Sequence, residues 1–141
     1  MNIDGKKGLV IGLGLSGRAA ARLLVGRGAT VTAVDSRPEA EVKSVAEELR
    51  SLGVSVETGR SAVDSIYDFA VMSPGLSPKT ALYKSVASGD FPLISEVELG
   101  TRLMECLSVG ITGTNGKSTT TELIEKMLND CGKSTRAAGN I

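Results

Sequence analysis

The sequence predicts an α/β protein: a parallel-sheet domain followed by the opening strand, phosphate loop and helix of a second α/β unit. Three observations carry this. Apolar runs alternate with amphipathic stretches from Lys7 to Ser95, the strand-helix-strand pattern that builds parallel sheets through right-handed crossovers. The first apolar run, Leu9-Val10-Ile11, leads into Gly12, Gly14 and Gly17 at G-x-G-x-x-G spacing. Further on, a second apolar run leads into Gly113, Gly116, Lys117 and Ser118, again ahead of a helical stretch.

The elements follow in order. Lys7 to Ile11 reads as the first strand. Arg18 to Gly26 reads as a helix whose Ala19, Ala20, Leu23 and Leu24 allow close packing, ended by Gly26 and Gly28. Thr30 to Val34 is an uncharged strand suited to burial on both faces. Pro38 and Glu39 open a helix to about Leu52, with Val42, Val45, Ala46 and Leu49 on one stripe and Glu41, Lys43, Glu47 and Glu48 opposite. Val54 to Glu57 and Phe69 to Met72 supply two more strands. Pro78 to Ser88 is a helix, Pro92 to Ile94 a short fifth strand, and Glu96 to Cys106 an amphipathic helix that reads as a linker out of the first domain. Leu107 to Thr112 is then a strand, and the helix after the loop runs to about Asp130. The expected division is residues 1–94 and 95–141.

The first glycine motif has a physical reading as an anion site. Glycine permits a tight turn, its missing side chain lets an oxygen-rich group approach the backbone, and the N–H groups of the following helix face that group. Such turns also occur where nothing binds. Here Asp35 closes the second strand at the offset expected of a ribose or base contact, which favours a Rossmann-like nucleotide site. The loop Ser73 to Pro78 leaves the carboxyl end of the fourth strand, where ligands sit in open α/β sheets, although its composition equally suits a plain turn. In the second loop, a strict P-loop wants glycine where Ile111 stands. The mechanical parts remain: glycines to wrap phosphate oxygens, Lys117 as a cation and Ser118 as a hydroxyl for Mg²⁺.

Composition excludes other chemistries. Sixteen basic and sixteen acidic residues cancel, so net charge gives no general attraction to nucleic acid or to a membrane surface. The absence of histidine removes imidazole bases, Ser/His triads and His-ligated metals. Cys106 and Cys131 lack C-x-x-C spacing, which argues against a disulfide framework or structural zinc. No run is long enough for a membrane span and the N-terminus has no signal-peptide pattern, so a cytoplasmic protein is expected.

Six stretches in this order and spacing, Gly12 to Gly17, Asp35 to Arg37, Ser73 to Gly75, Ser95 to Leu99, Gly113 to Ser118 and Gly139 to Ile141, resemble the Mur ligases of peptidoglycan synthesis, in particular the branch that adds D-glutamate. The resemblance covers essentially the whole chain, and Gly-Thr-Asn-Gly-Lys-Ser is that family's own variant of the phosphate loop. It implies an ATP-dependent ligase that activates the carboxylate of UDP-N-acetylmuramoyl-L-alanine as an acyl phosphate and condenses it with D-glutamate, with Mg²⁺ as cofactor, as a monomer at full length and without nucleic-acid or membrane partners. By position, Gly14, Leu15 and Ser16 would meet the UDP diphosphate. Asp35, Ser36 and Arg37 would recognise the uridine end, Ser73, Pro74 and Gly75 would close the pocket, and Asn140 would reach the same substrate. Gly113, Thr114, Asn115, Gly116, Lys117, Ser118 and Thr119 would bind ATP, with Lys117 catalytic on the phosphates and Ser118 on the metal.

The resemblance further implies a truncated ATPase domain, so the chain alone is expected to bind the UDP moiety and not to turn over. A strand from Leu107 to Thr112 without neighbours is expected to fray. The rival reading is an NAD-binding regulatory module or dehydrogenase cofactor domain, which has no need of a Lys-Ser phosphate loop. In the first motif Gly14→Val is expected to lose UDP binding while keeping the fold, on the ground that valine tolerates positive φ poorly and would fill the space the diphosphate needs.

Overall fold

The computed structural model describes residues 1–64 and 66–139. In chain order its elements are β1 (Lys7–Ile11), α1 (Leu15–Gly26), β2 (Thr30–Val34), α2 (Glu39–Ser51), β3 (Ser55–Glu57), β4 (Phe69–Met72), α3 (Ala81–Ala87), β5 (Leu93–Ser95), α4 (Glu96–Leu103) and α5 (Lys117–Asp130). The strands form one all-parallel sheet in the order β3-β2-β1-β4-β5. Ile11 stands beside Val34 on one side and Met72 on the other, so the loops after β1, β2 and β4 leave the sheet level with one another. The chain order reverses between β1 and β4, and ligands of open α/β sheets bind in the crevice that such a reversal opens.

Strand alternation explains the two cores. Val10, Val31, Ala33, Phe69 and Val71 pack against Ala20, Ala21 and Leu24 of α1, Val42 and Leu49 of α2, and Leu99 and Leu103 of α4. Leu9, Ile11, Val34 and Ala70 point the other way, against Leu82 and Val86 of α3. With both faces covered, the central strands are apolar or uncharged through their buried stretches, which is why Leu9 to Ile11 and Phe69 to Met72 read as unbroken apolar runs. Leu9, Ile11, Leu24, Leu49, Leu82 and Leu99 are all fully buried, each contributing roughly 1.5–3 kcal/mol.

Several boundaries differ from the sequence reading. Helix α3 starts at Ala81 rather than Pro78, because Thr80 is extended (φ −69, ψ 148) and serves as its N-cap. Helix α1 starts at Leu15, because the turn ends at Gly14, whose extended backbone (φ −74, ψ −174) serves as N-cap. Helix α4 ends at Leu103 rather than Cys106, since Met104 is extended (φ −72, ψ 132). Because Leu99 and Leu103 sit in the core with Ile94, α4 seals the first unit instead of leading out of it. Accordingly the chain divides into compact units Met1–Met104 and Glu105–Ile141. Leu107 to Thr112 joins no strand of the sheet. Leu107 is fully exposed and Val109 is 69% exposed; an extended apolar segment without a paired neighbour has no ladder to join.

The second unit is thin. No residue of α5 is buried, and the segment after it is held by local bonds: Thr135 N–H donates to Asn129 Oδ1 at 2.9 Å and Ala137 N–H to Glu125 Oε1 at 2.7 Å. Among the described residues no helix is long and apolar enough to cross a membrane. Amide protection follows burial of the backbone bonds. Hydrogen exchange should therefore be slow across 8–11, 31–34 and 69–72 and faster by about a hundredfold or more across 105–139; uniform protection in a chain shown to be monomeric would contradict this.

Candidate functional site

The three glycines of the first motif stand where they do for three different reasons. Gly12 has φ +91, a left-handed conformation that a side chain disfavours. Gly17 is a matter of space: a Cβ there would lie 1.8 Å from the Gly12 carbonyl oxygen, so α1 can seat against β1 only because this residue has none. Gly14 is constrained by neither. Its φ is −74, and an added Cβ would meet nothing within 4 Å. The positive-φ argument made for Gly14 from sequence is thus corrected; it belongs to Gly12. What remains at Gly14 is open space at a helix N-terminus.

That terminus suits an anion. The first helical bond runs from Arg18 N–H to Gly14 O at 2.9 Å, so the N–H groups of Leu15, Ser16 and Gly17 precede the helical ladder. No side chain caps them, and the first turn has no acid to neutralise the positive end of the helix dipole. Arg18 does not lie over the turn as a counter-ion. It pairs, with Arg22, to Glu48 of α2.

Among the described residues, Asp35 is the buried charged residue of the core, 4% exposed. Its Oδ2 accepts Leu13 N–H at 2.7 Å and Arg37 Nη2 at 2.7 Å; its Oδ1 accepts Arg37 N–H at 2.8 Å and Arg37 Nε at 3.0 Å. Burial alone pushes the carboxyl up, but the Arg37 guanidinium and the N–H groups of Leu13 and Arg37 together hold it below its ordinary value of 3.8. The loop is stitched at the backbone as well, with Asp35 N–H donating to Glu57 O at 3.0 Å and Gly59 N–H to Arg37 O at 2.8 Å.

These parts enclose a cleft of about 340 Å³ at the switch point. Gly12, Gly14, Asp35, Ser36 and Arg37 form one side; Ser73, Gly75, Leu76, Ser77, Thr80 and Leu82 form the other. The structure therefore brings Gly14, Asp35, Ser36, Arg37, Ser73 and Gly75 together. Leu15, 87% exposed, and Ser16 follow Gly14 directly, while Pro74 is exposed and does not line the cleft. Asn140 lies outside the described residues. Sequence reasoning placed Leu76 and Ser77 only as part of the Ser73 to Pro78 loop on the ligand side of the sheet, and it missed Thr80 and Leu82. The available signal was Thr80 as a helix N-cap, a role it performs by accepting Tyr83 N–H at 3.3 Å.

The second unit has a phosphate-type loop of its own. Gly113 (φ +150) and Gly116 (φ +76) make the turn, and Gly116 caps α5. The first helical bond is Thr120 N–H to Gly116 O at 2.9 Å, leaving the N–H groups of Lys117, Ser118 and Thr119 ahead of the ladder. Lys117 Nζ curls over the loop, donating to Gly113 O at 2.7 Å and Thr114 O at 3.3 Å. Backbone donors, a helix N-terminus and an ammonium in one turn fit a polyphosphate. Ser118, exposed beside them, offers one hydroxyl, and no group of three acidic, Cys or His residues gathers among the described residues. A Mg²⁺ held here would take its other ligands from phosphate and water.

Two family models match the chain. The family model of the Mur ligase MurD-like N-terminal domain matches residues 6–95, and that of the Mur ligase middle domain matches residues 111–141. The chain is 38% identical over its whole length to the UDP-N-acetylmuramoylalanine--D-glutamate ligase of Caldanaerobacter subterraneus subsp. tengcongensis, covering 32% of that protein. It is 41% identical over 99% of its length to the ligase of the same name from Streptococcus mutans, again covering 32%. Among solved structures, a pseudomurein peptide ligase type C from Methanothermus fervidus is similar with a TM-score of 0.56 at 26% identity, over 97% of this chain and 29% of that one. The chain thus spans about a third of the length of the curated relatives it matches.

Two outcomes follow from the site's packing and charge. Gly17→Ala should destabilise the first unit by about 1–3 kcal/mol or more in denaturant unfolding, since the methyl meets a backbone carbonyl, whereas Gly14→Val should change stability by less than about 1 kcal/mol. The acid response comes from depressed carboxyls. Asp35 lies below its ordinary value, and Glu39 falls from 4.5 to about 2 through hydrogen bonds from Arg50 and Thr58. Groups of this sign stabilise the fold above their unfolded values and lose that contribution as pH falls through the folded ones. The thermal midpoint should be flat down to about pH 5 and drop between 4.5 and about 2, with Glu39→Gln shrinking the drop.

Proposed function

We propose a function from one premise: this chain belongs to the Mur ligase family, carrying its MurD-like N-terminal domain and the opening of its middle domain. The whole protein of which this chain carries these parts is an ATP-dependent ligase of the cytoplasm that adds D-glutamate to UDP-N-acetylmuramoyl-L-alanine for the cell wall. The first unit binds the UDP end of that substrate and the Gly113–Thr119 loop binds ATP. The observation that carries the reading is the pairing of an uncapped helix N-terminus at a sheet switch point with a separate glycine, Lys and Ser phosphate loop, in one chain.

The chemistry needs both. A carboxylate resists attack by an amine, so its oxygen first takes the γ-phosphoryl group of ATP, releasing ADP. The amine of D-glutamate then attacks the acyl carbon, the acyl C–O bond breaks, phosphate leaves with the bonding pair, and the amine gives up a proton. In this chain the Leu15, Ser16 and Gly17 N–H groups hold the UDP diphosphate. Asp35, Ser36 and Arg37 line the uridine end, and Ser73 and Gly75 form the facing wall. Lys117 leaves its two loop carbonyls for the phosphate oxygens, where its charge offsets the charge that develops on the transferred group. Ser118 and the phosphates would hold Mg²⁺, which would supply further neutralisation.

Calorimetry on the 141-residue chain should show UDP and UDP-N-acetylmuramoyl-L-alanine binding at least tenfold more tightly than NAD, and Gly14→Val, with its melting unchanged, should bind neither UDP ligand measurably. Preference for NAD would replace this reading with that of a nicotinamide cofactor domain.

A further inference from the structure

At the end of the second strand of a nucleotide-binding sheet, an acid is placed to accept hydrogen bonds from ligand hydroxyls. Asp35 occupies that place, yet its oxygens are already committed. Oδ1 accepts Arg37 N–H at 2.8 Å and Arg37 Nε at 3.0 Å; Oδ2 accepts Leu13 N–H and Arg37 Nη2, both at 2.7 Å. Four donors fill the roughly four lone-pair sites of a carboxylate. The partners come from two separate parts of the cleft. Leu13 lies inside the glycine turn, between the left-handed Gly12 and the N-cap Gly14, and Arg37 lies in the loop that leads to α2. Arg37 grips the carboxylate as a two-toothed fork while 46% of its side chain stays exposed, and it lines the cleft together with Gly14 and Ser36.

We propose that Asp35 is a positioning residue that touches no part of the nucleotide. It holds the Leu13 N–H, and with it the diphosphate turn, in register with the Arg37 guanidinium, whose outer N–H groups meet the uridine end. The inference rests on the UDP reading and deepens it: one buried carboxylate makes the two halves of the ligand site a single rigid unit. An exchange of partners toward the ligand would strip the Leu13 N–H of its buried acceptor or open the Arg37 fork on the buried carboxylate, at a cost comparable to a lost charged hydrogen bond.

Two measurements on the 141-residue chain test it. NMR of the unsubstituted protein follows exchange of the Leu13 N–H and the Arg37 Nε–H without ligand and with saturating UDP. Both should remain as protected or become more so; loss of either protection on saturation would show the carboxylate turning to the nucleotide and would overturn the proposal. Titrations then compare UDP with inorganic pyrophosphate, which has neither ribose nor base. Asp35→Asn should weaken both by at least tenfold, because the turn loses its anchor. If pyrophosphate binding stayed intact while UDP binding was lost, Asp35 would be a direct contact. Should Asp35→Asn fail to fold, the NMR measurement on the unsubstituted chain decides alone. A wild-type chain that binds neither ligand would remove the UDP reading and this proposal with it, a result distinct from failure of the Asp35 role, in which the wild type binds both.

Discussion

Gly17 has no Cβ, and that vacancy lets α1 press its first turn onto the carbonyl of Gly12. The whole mouth of the first unit depends on this approach. It fixes the helix N-terminus above the carboxyl end of β1, the strand flanked by β2 and β4, and so places the unladdered N–H groups of Leu15, Ser16 and Gly17 at the point where the sheet reverses its order. A methyl group's displacement of the helix would move the dipole end away from the crevice and draw Leu13 away from Asp35.

The same approach makes a buried carboxylate tolerable. An ionised acid in a core is costly unless its lone pairs are filled and its charge is opposed. Asp35 meets both conditions with one arginine two residues away and one N–H from the turn that α1 holds in place. Arg37 is constrained in return, because a guanidinium gripping through Nε and Nη2 has one orientation, and its remaining donors face a set direction. The α1 dipole, and not Arg18 or Arg22, provides the positive field at the glycine turn, since both arginines are drawn off to Glu48.

The two phosphate-type loops illustrate how differently such a turn can be supported. The first is bounded by strands that are buried on both faces and by two packed helices. The second is followed by a helix with no buried residue and preceded by exposed Leu107 and Val109. Its lysine spends two of its three N–H donors on the loop's own carbonyls, so full engagement of a phosphate competes with those bonds. A helix of this length has little stability of its own in water, and the order of this loop therefore depends on packing to a greater degree than that of the first.

Much of this was legible in the residues. The apolar runs Leu9 to Ile11 in β1 and Phe69 to Met72 in β4, with the uncharged Thr30 to Val34 of β2 between them in sequence, specified a parallel sheet covered on both sides, because burial on both faces leaves no strand position for a charge. Glycine spacing with Asp35 located the crevice, and Lys117-Ser118 located the second loop. Other features were decided by tertiary contact. That Gly12 carries the positive φ and Gly14 does not depends on how the turn meets Ser73 and α1; identical residue types cannot reveal it. That α4 joins the first core follows from Leu99 and Leu103 finding Ile94; an amphipathic pattern shows an apolar face but never its partner. That the predicted strand after Leu107 pairs with nothing among the described residues follows from pairing being a property of neighbours rather than of the segment. That Asp35 spends its oxygens on Leu13 and Arg37 required the folded distances, since a sequence records which donors exist and only the fold decides which of them arrive.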